Sequence, residues 1–135
     1  MDIQKQIQYW CFGASEDWQV AHDLIQQGRV RHGLFFAHLS LEKLLKALVC
    51  LHTQDLAPRI HNLVRLAELT GLSWSDAHID VLADMNSLNI EGRYPELLLT
   101  PPTVQEAQQY LHIAGEVYQW LIQQLFKPSN ATCAP

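Results

Sequence analysis

The feature that most constrains the fold is an apolar run from Leu34 to Leu51 that contains three charged residues, Glu42, Lys43 and Lys46. The apolar side chains of this run cover most of the circumference of a helix, which is typical of a helix surrounded by neighbours. A charge in such surroundings needs an opposite charge or a water-filled groove, because burying it alone costs a large free energy. The run therefore predicts either the central helix of a bundle or a helix in a subunit interface, next to a charged cleft.

Helical periodicity marks the other elements as well, and no segment alternates as a strand does. One helix steps by three and four residues from Ile3 to Ile25, and the apolar helix runs from about Val30 to His52. A short helix is predicted from about His61 to Leu69, and a fourth follows the N-cap residue Ser75 and extends to Leu88. The last begins at the capping box Thr103–Glu106. The pattern predicts an all-α bundle.

The connections and the chain length complete this prediction. The segment from Asn89 to Pro102 contains three prolines and is expected to form a loop. A chain of 135 residues with 48% hydrophobic and 17% charged residues has the composition of one globular domain. We therefore expect a single helical domain over residues 1–127, followed by a mobile polar tail over residues 128–135.

Composition and spacing also exclude several classes of function. A net charge of -5 argues against a general electrostatic grip on nucleic acid, although a small basic patch could still bind an anion. No apolar stretch approaches the ~18 residues of a membrane span. Cys11, Cys50 and Cys133 are odd in number and lack CxxC spacing, which predicts reduced cysteines in a cytoplasmic protein. The histidines have no zinc-binding spacing, and nucleotide-cofactor fingerprints are missing, so neither a metal nor a cofactor is expected.

Three polar residues recur every four positions on the apolar helix: His38, Glu42 and Lys46. They share one helix face, and a Glu four residues before a Lys is the favourable order for an intrahelical ion pair. One interpretation is an ordinary solvated stripe closed by that pair. The other is the wall of a cleft, because so little of this helix is left to face solvent.

Two later segments offer further candidates. His61 or Asn62 is expected to cap the short helix, and Arg59 beside this helix start also favours an anion site there. Arg93 and Tyr94 either close the end of the fourth helix or present a guanidinium to a phosphate and a ring to a base. Chemistry alone leaves both pairs of alternatives open.

Taken together, three blocks in this order resemble the HEPN domain family. The blocks are Phe36 to Leu48 (FAHLSLEKLLKAL), Pro58 to Leu63 (PRIHNL) and Arg93-Tyr94-Pro95. The resemblance spans about residues 8 to 125. The family usually has His-Asp-Leu at the end of the second block, where this chain has His61-Asn62-Leu63.

The resemblance implies an up-and-down bundle of four or five helices, commonly dimeric. Prokaryotic members often work with a minimal nucleotidyltransferase in toxin–antitoxin or defence pairs. Many members are metal-independent ribonucleases with an Arg-x(4–6)-His motif, in which the two side chains assist attack of a ribose 2'-OH on the adjacent phosphate. In this chain Arg93 has no histidine within that distance, since the next one is His112.

The leading hypothesis is accordingly a non-catalytic, homodimeric HEPN-type domain that binds a nucleotide or RNA phosphate, pairs with a nucleotidyltransferase subunit, or does both. The predicted ligand-binding residues are Glu42, Lys46, His61, Asn62, Arg93 and Tyr94. A second hypothesis is a divergent metal-independent endoribonuclease that uses His61 or His38 in place of the missing histidine. A third is a purely structural interaction module.

Overall fold

The computed structural model describes residues 2–93, 100 and 102–127, except for the side chains of residues 90–93. The regular structure of these residues is entirely helical, which confirms the all-α prediction of an up-and-down bundle. The five helices are α1 (Ile3–Gln26), α2 (Val30–Thr53), α3 (Leu63–Glu68), α4 (Asp76–Arg93) and α5 (Val104–Leu125). The predicted tail over residues 128–135 lies outside the described residues.

The helix boundaries follow from local capping. The Asp2 side chain accepts a hydrogen bond from the Lys5 amide at the start of α1, and Gly28 takes a φ of 81° just after its end. The Asn62 side chain caps α3 by accepting from the amide of Arg65. The predicted capping box at the start of α5 is present, with both reciprocal hydrogen bonds formed.

Two predicted boundaries were wrong. The short helix α3 begins at Leu63, not at His61, because Asn62 has the extended backbone of an N-cap residue. The fourth helix does not end at Leu88 but continues to Arg93. The prolines of this segment begin only at Pro95. Because proline disfavours helix at itself and at the residue before it, these prolines leave residues 89–93 free to extend α4.

The apolar helix α2 is the centre of the bundle, since it packs against all four other helices. Its leucines Leu41, Leu44 and Leu45 are fully buried. The apolar side chains of α5 that recur every three or four residues face this core and are buried, namely Ala107, Leu111, Ala114, Tyr118, Leu121 and Leu125. Because α2 is buried over most of its middle, from Ala37 to Cys50, most polar groups there meet other side chains rather than solvent.

The connection between α1 and α2 is short, and the two helices pack closely at Gly33. A Cβ atom added at Gly33 would overlap the side chain of Ile25 and lie 3.1 Å from the carbonyl oxygen of Ala21.

None of the helices in the described part of the chain combines the length and apolarity that a bilayer crossing requires. The prediction of reduced cysteines is correct for the buried, free Cys50 and wrong for Cys11, which is disulfide-bonded.

Candidate functional site

A buried carboxylate, that of Glu42 on α2, is the centre of the candidate site. Glu42 is 4% exposed, and its Oε2 atom accepts a hydrogen bond from Lys46 Nζ at 3.0 Å. The same oxygen lies 3.0 Å from Nδ1 of His61, which precedes α3. The other oxygen, Oε1, lies 3.9 Å from Nδ1 of His38, one turn earlier on α2. Glu42 therefore joins its own helix to the segment that leads into α3.

Lys46 is held inside the protein by two contacts. It is only 5% exposed, although a lysine ammonium is rarely buried without a partner. Besides the hydrogen bond to Glu42, its Nζ lies over the ring of Trp10 at 5.2 Å from the centroid, which is a cation–π distance. The ammonium thus contacts the Glu42 carboxylate and the Trp10 indole of α1, and it does not face an open surface.

Burial of His38, Glu42 and Lys46 bears on both interpretations of their stripe. All three are buried, so the interpretation as a solvated surface stripe was wrong. Glu42 and Lys46 also do not line an open cleft, because they form a packed polar core between helices. The predicted i, i+4 ion pair between them is present.

Lys43, the third charge of the apolar run, points to α1 instead. Its Nζ lies 2.7 Å from Oδ2 of Asp17, and the lysine chain passes close over Gly13, where an added Cβ would lie 3.1 Å from Nζ. The side chains of Lys43 and Asp17 are 21% and 12% exposed. This pair clamps α1 to α2 and takes no part in the Glu42 site.

His61 is the exposed member of the site. Its side chain is 64% exposed, whereas the carboxylate that holds its Nδ1 atom is 5% exposed. A histidine tethered through one ring nitrogen by a buried carboxylate presents its remaining ring atoms in a fixed direction. The site therefore has a polar interior of Glu42 and Lys46 and a single imidazole that meets solvent.

Asn86 on α4 is a member of the site that the sequence reasoning missed. Its Oδ1 accepts from the Leu63 amide at 3.0 Å and lies 3.2 Å from Nε2 of His38, and its Nδ2 donates to Oδ1 of Asn62 at 2.9 Å. A signal was present in the pattern, because Asn86 stands four residues after the buried Leu82, where the apolar stripe of α4 would continue.

The start of α3 has fewer free backbone donors for an anion than the sequence indicated. The Asn62 side chain already accepts from the Arg65 amide, and Asn86 accepts from the Leu63 amide. Two of the backbone donors that would bind an anion are therefore taken by side chains, and a helix of six residues has only a weak dipole. Arg59 is exposed beside this segment.

The remaining predicted site residues, Arg93 and Tyr94, lie largely outside the described residues. Arg93 is the last residue of α4, but its side chain is not described, and Tyr94 is not described at all. Their predicted roles as anion and base contacts stay predictions.

Two pockets on the described surface lie away from these residues. One of about 250 Å³ lies between the C-terminal ends of α2 and α5, beside His52, Gly71 and Gln124. The other, of about 440 Å³, lies between the start of α2 and the start of α5. In the described part of the chain, no three His, Cys, Asp or Glu side chains cluster as a metal site requires.

Comparisons with known proteins agree with this fold. The family model of the HEPN domain matches residues 7–125. Among solved structures, the crystal structure of TT1696 from Thermus thermophilus is similar, with a TM-score of 0.76 and 19% sequence identity over 89% of this chain and 98% of that chain. At this identity the likeness shows the fold alone. No curated protein sequence matches the chain.

Proposed function

We propose, since this chain belongs to the HEPN domain family, that it binds a phosphate group of a nucleotide or an RNA at the exposed imidazole of His61. The observation that carries this proposal is the contact of His61 Nδ1 with Glu42 Oε2 at 3.0 Å, between an exposed ring and a buried carboxylate. When His61 is protonated, this arrangement presents a positively charged donor that Glu42 holds in place.

The other predicted site residues divide into two groups. For Glu42, Lys46 and Asn62 we propose supporting roles, because their polar atoms already bind one another or the backbone. For Arg93 and Tyr94 we propose direct contacts to the anion and to a base, since a guanidinium binds phosphate in a bidentate manner and an aromatic ring stacks on a base.

The test is a binding titration of nucleotides and short RNAs with wild-type protein, His61→Ala and Arg93→Ala. His112→Ala is the matched control, because His112 is 73% exposed and pairs with Glu116, which is itself 69% exposed. We expect His61→Ala to weaken binding by about tenfold or more, as loss of one charge-assisted hydrogen bond does, and His112→Ala to have no effect. Wild-type protein that binds none of these ligands would refute the proposal.

The salt dependence of binding supplies a second criterion. Two phosphate contacts to a single strand give a slope of log K against log salt of about -1.4, since each contributes roughly -0.7. A much steeper slope would indicate a broad basic surface, which does not fit a chain with a net charge of -5. A slope near that of two contacts is expected for local binding at His61 and Arg93.

We also propose that the domain is a homodimer and pairs with a minimal nucleotidyltransferase in a toxin–antitoxin or defence system of the cytoplasm. The family resemblance supports this proposal, and α1 offers an apolar surface at Tyr9 and Phe12, which are 66% and 69% exposed. Light scattering should show a dimer that Phe12→Glu dissociates and that Leu56→Glu, at a site 52% exposed, does not. A monomeric wild-type protein that does not co-purify with a nucleotidyltransferase would contradict it.

A second candidate function, metal-independent RNA cleavage, is favoured by the same Glu42–His61 contact. A histidine oriented by a carboxylate through Nδ1 is the arrangement of a general base, which here would take the proton of a ribose 2'-OH. RNA incubated with the protein in EDTA would then be cleaved by wild-type and His112→Ala protein but not by His61→Ala. Intact RNA in all three samples excludes this function. If ligand binding also fails, a purely structural module remains.

A further inference from the structure

We propose that Asn86 is a positioning residue that sets the direction of His61 and the tautomer of His38 from the opposite side of the site. The consequence for phosphate binding rests on the proposed function, whereas the effect on the two histidine rings does not. The proposal stands on the position of Asn86 on α4, where one side-chain amide touches α2, the segment before α3 and the first turn of α3.

The orientation of the Asn86 amide is fixed by a backbone group. The Leu63 amide can only donate, and it lies 3.0 Å from the atom assigned as Asn86 Oδ1. Exchanging oxygen and nitrogen would place two donors against each other. The assigned orientation also lets Asn86 Nδ2 donate to Asn62 Oδ1, which accepts from the Arg65 amide as well. Backbone donors therefore fix both amide side chains.

This orientation fixes a proton on His38. Because Asn86 Oδ1 can only accept, the contact of 3.2 Å to His38 Nε2 requires that Nε2 carries the hydrogen. A neutral His38 is thus the Nε2–H tautomer. His61 is in the opposite situation, since its Nδ1 atom faces the carboxylate of Glu42 at 3.0 Å and must carry the hydrogen there. The site is expected to contain two histidines of opposite tautomer.

The link from Asn86 to His61 runs through the chain itself. Asn86 binds Asn62 and the amide of Leu63, which are the two residues that follow His61. These bonds hold the start of α3 against α4 and thereby hold the His61 ring over Glu42. Without them the short helix α3 loses two of its anchors, and the contact of His61 with Glu42 loses its fixed geometry.

The experiment reads the ring nitrogens of the histidines by 15N NMR at a pH of about 9, well above the ordinary imidazole pKa of about 6.5. We expect His61 to be the Nδ1–H tautomer and His38 the Nε2–H tautomer in wild-type protein. In Asn86→Ala the preference of both rings should be lost, and phosphate binding should weaken about tenfold. Destabilisation of the bundle as a whole would not by itself change a tautomer in the folded state.

Asn89→Ala is the matched control, because Asn89 lies three residues further along α4 and makes no side-chain hydrogen bond within the described residues. It should leave both tautomers unchanged. Asn86→Asp is a second variant that remains informative if Asn86→Ala does not fold. It keeps an acceptor for Leu63 and His38 but places an oxygen against Asn62 Oδ1, so His38 should keep its tautomer while His61 loses its own.

The outcomes separate this inference from the proposed function. An unchanged His61 tautomer in the folded Asn86 variants, or an equal loss in Asn89→Ala, overturns the positioning role even if wild-type protein binds phosphate. Altered tautomers confined to the Asn86 variants support the role even if no phosphate binds, in which case only the proposed function fails.

Discussion

Replacing Glu42 by leucine removes the carboxylate that Lys46 and His61 share, and the expected loss of stability can be worked out from burial. Lys46 is 5% exposed and would remain inside the protein without its anionic partner. Breaking a buried pair by removing one member costs about 3–5 kcal/mol. The Trp10 ring below the ammonium does not reduce this cost, because its contact with Lys46 is the same before and after the substitution. We therefore expect Glu42→Leu to lower the free energy of unfolding by about 3–5 kcal/mol.

The assay is urea unfolding followed by far-UV circular dichroism. With a slope of about 2 kcal/mol per M urea, the midpoint should fall by roughly 1.5–2.5 M. The matched control is Glu68→Leu, because Glu68 accepts from Arg65 at 2.8 Å in a pair whose side chains are 57% and 58% exposed. Its loss should stay below about 1 kcal/mol despite the shorter distance, since solvent screens an exposed pair.

A double variant shows whether the unpaired ammonium causes the loss. Lys46→Met keeps an unbranched side chain, only one atom shorter, that can still pack on Trp10, but it removes the charge. Glu42→Leu/Lys46→Met should therefore recover most of the stability that Glu42→Leu loses, because replacing both members of a buried pair by apolar residues is often neutral. Equal losses in the Glu42 and Glu68 variants, or no recovery in the double variant, would refute the reasoning.

Three further predictions concern packing, capping and a buried thiol. Gly33→Ala should destabilise the protein by roughly 1–3 kcal/mol in urea unfolding, because the added Cβ overlaps Ile25. Gly115→Ala should be neutral or stabilising, because the Cβ added there lies 3.4 Å from the nearest atom of Trp18, an ordinary contact distance. Thr103→Ala should cost about 1 kcal/mol in the same assay through loss of the α5 capping box. Burial raises the pKa of the Cys50 thiol. The stability that this shift contributes is therefore fully present below the unfolded thiol pKa of about 8.5, and it is lost as pH rises through the higher folded value. Unfolding measured from pH 8 to 10 should show this loss in wild-type protein and not in Cys50→Ala.

Helical periodicity was sufficient to predict most of the fold. The apolar helix was expected from about Val30 to His52 and runs from Val30 to Thr53, because its boundary signals are local in the sequence. The fourth helix was predicted too short because three prolines were weighed as a group, although a proline beyond the end of a helix restricts only itself and the residue before it. Local sequence rules thus predict a helix boundary correctly where the residues that determine it lie within one helical turn of it.

The candidate site was predictable only in part, for the same reason. The Glu42–Lys46 pair was foreseen because its members lie one turn apart on one helix. The contact of Glu42 with His61 and that of His38 with Asn86 join residues 19 and 48 positions apart, and periodicity does not say which neighbour a helix face meets. Asn86 resembles any polar interruption of an apolar stripe until the packing of α4 against α2 is known.

The buried Glu42–Lys46 pair is better explained by the position of His61 than by stability. Two ions taken out of water lose about as much hydration as they gain in attraction, so apolar residues in their place would stabilise the bundle equally well. What apolar residues cannot do is hold an exposed imidazole through Nδ1, as Glu42 does at 3.0 Å. Glu42→Leu/Lys46→Met separates the two explanations, because it should unfold near the wild-type urea midpoint and yet bind phosphate no better than His61→Ala. If the double variant still binds as wild type does, the carboxylate is not needed under the imidazole, and the pair is only a feature of the packing between α1, α2 and α3.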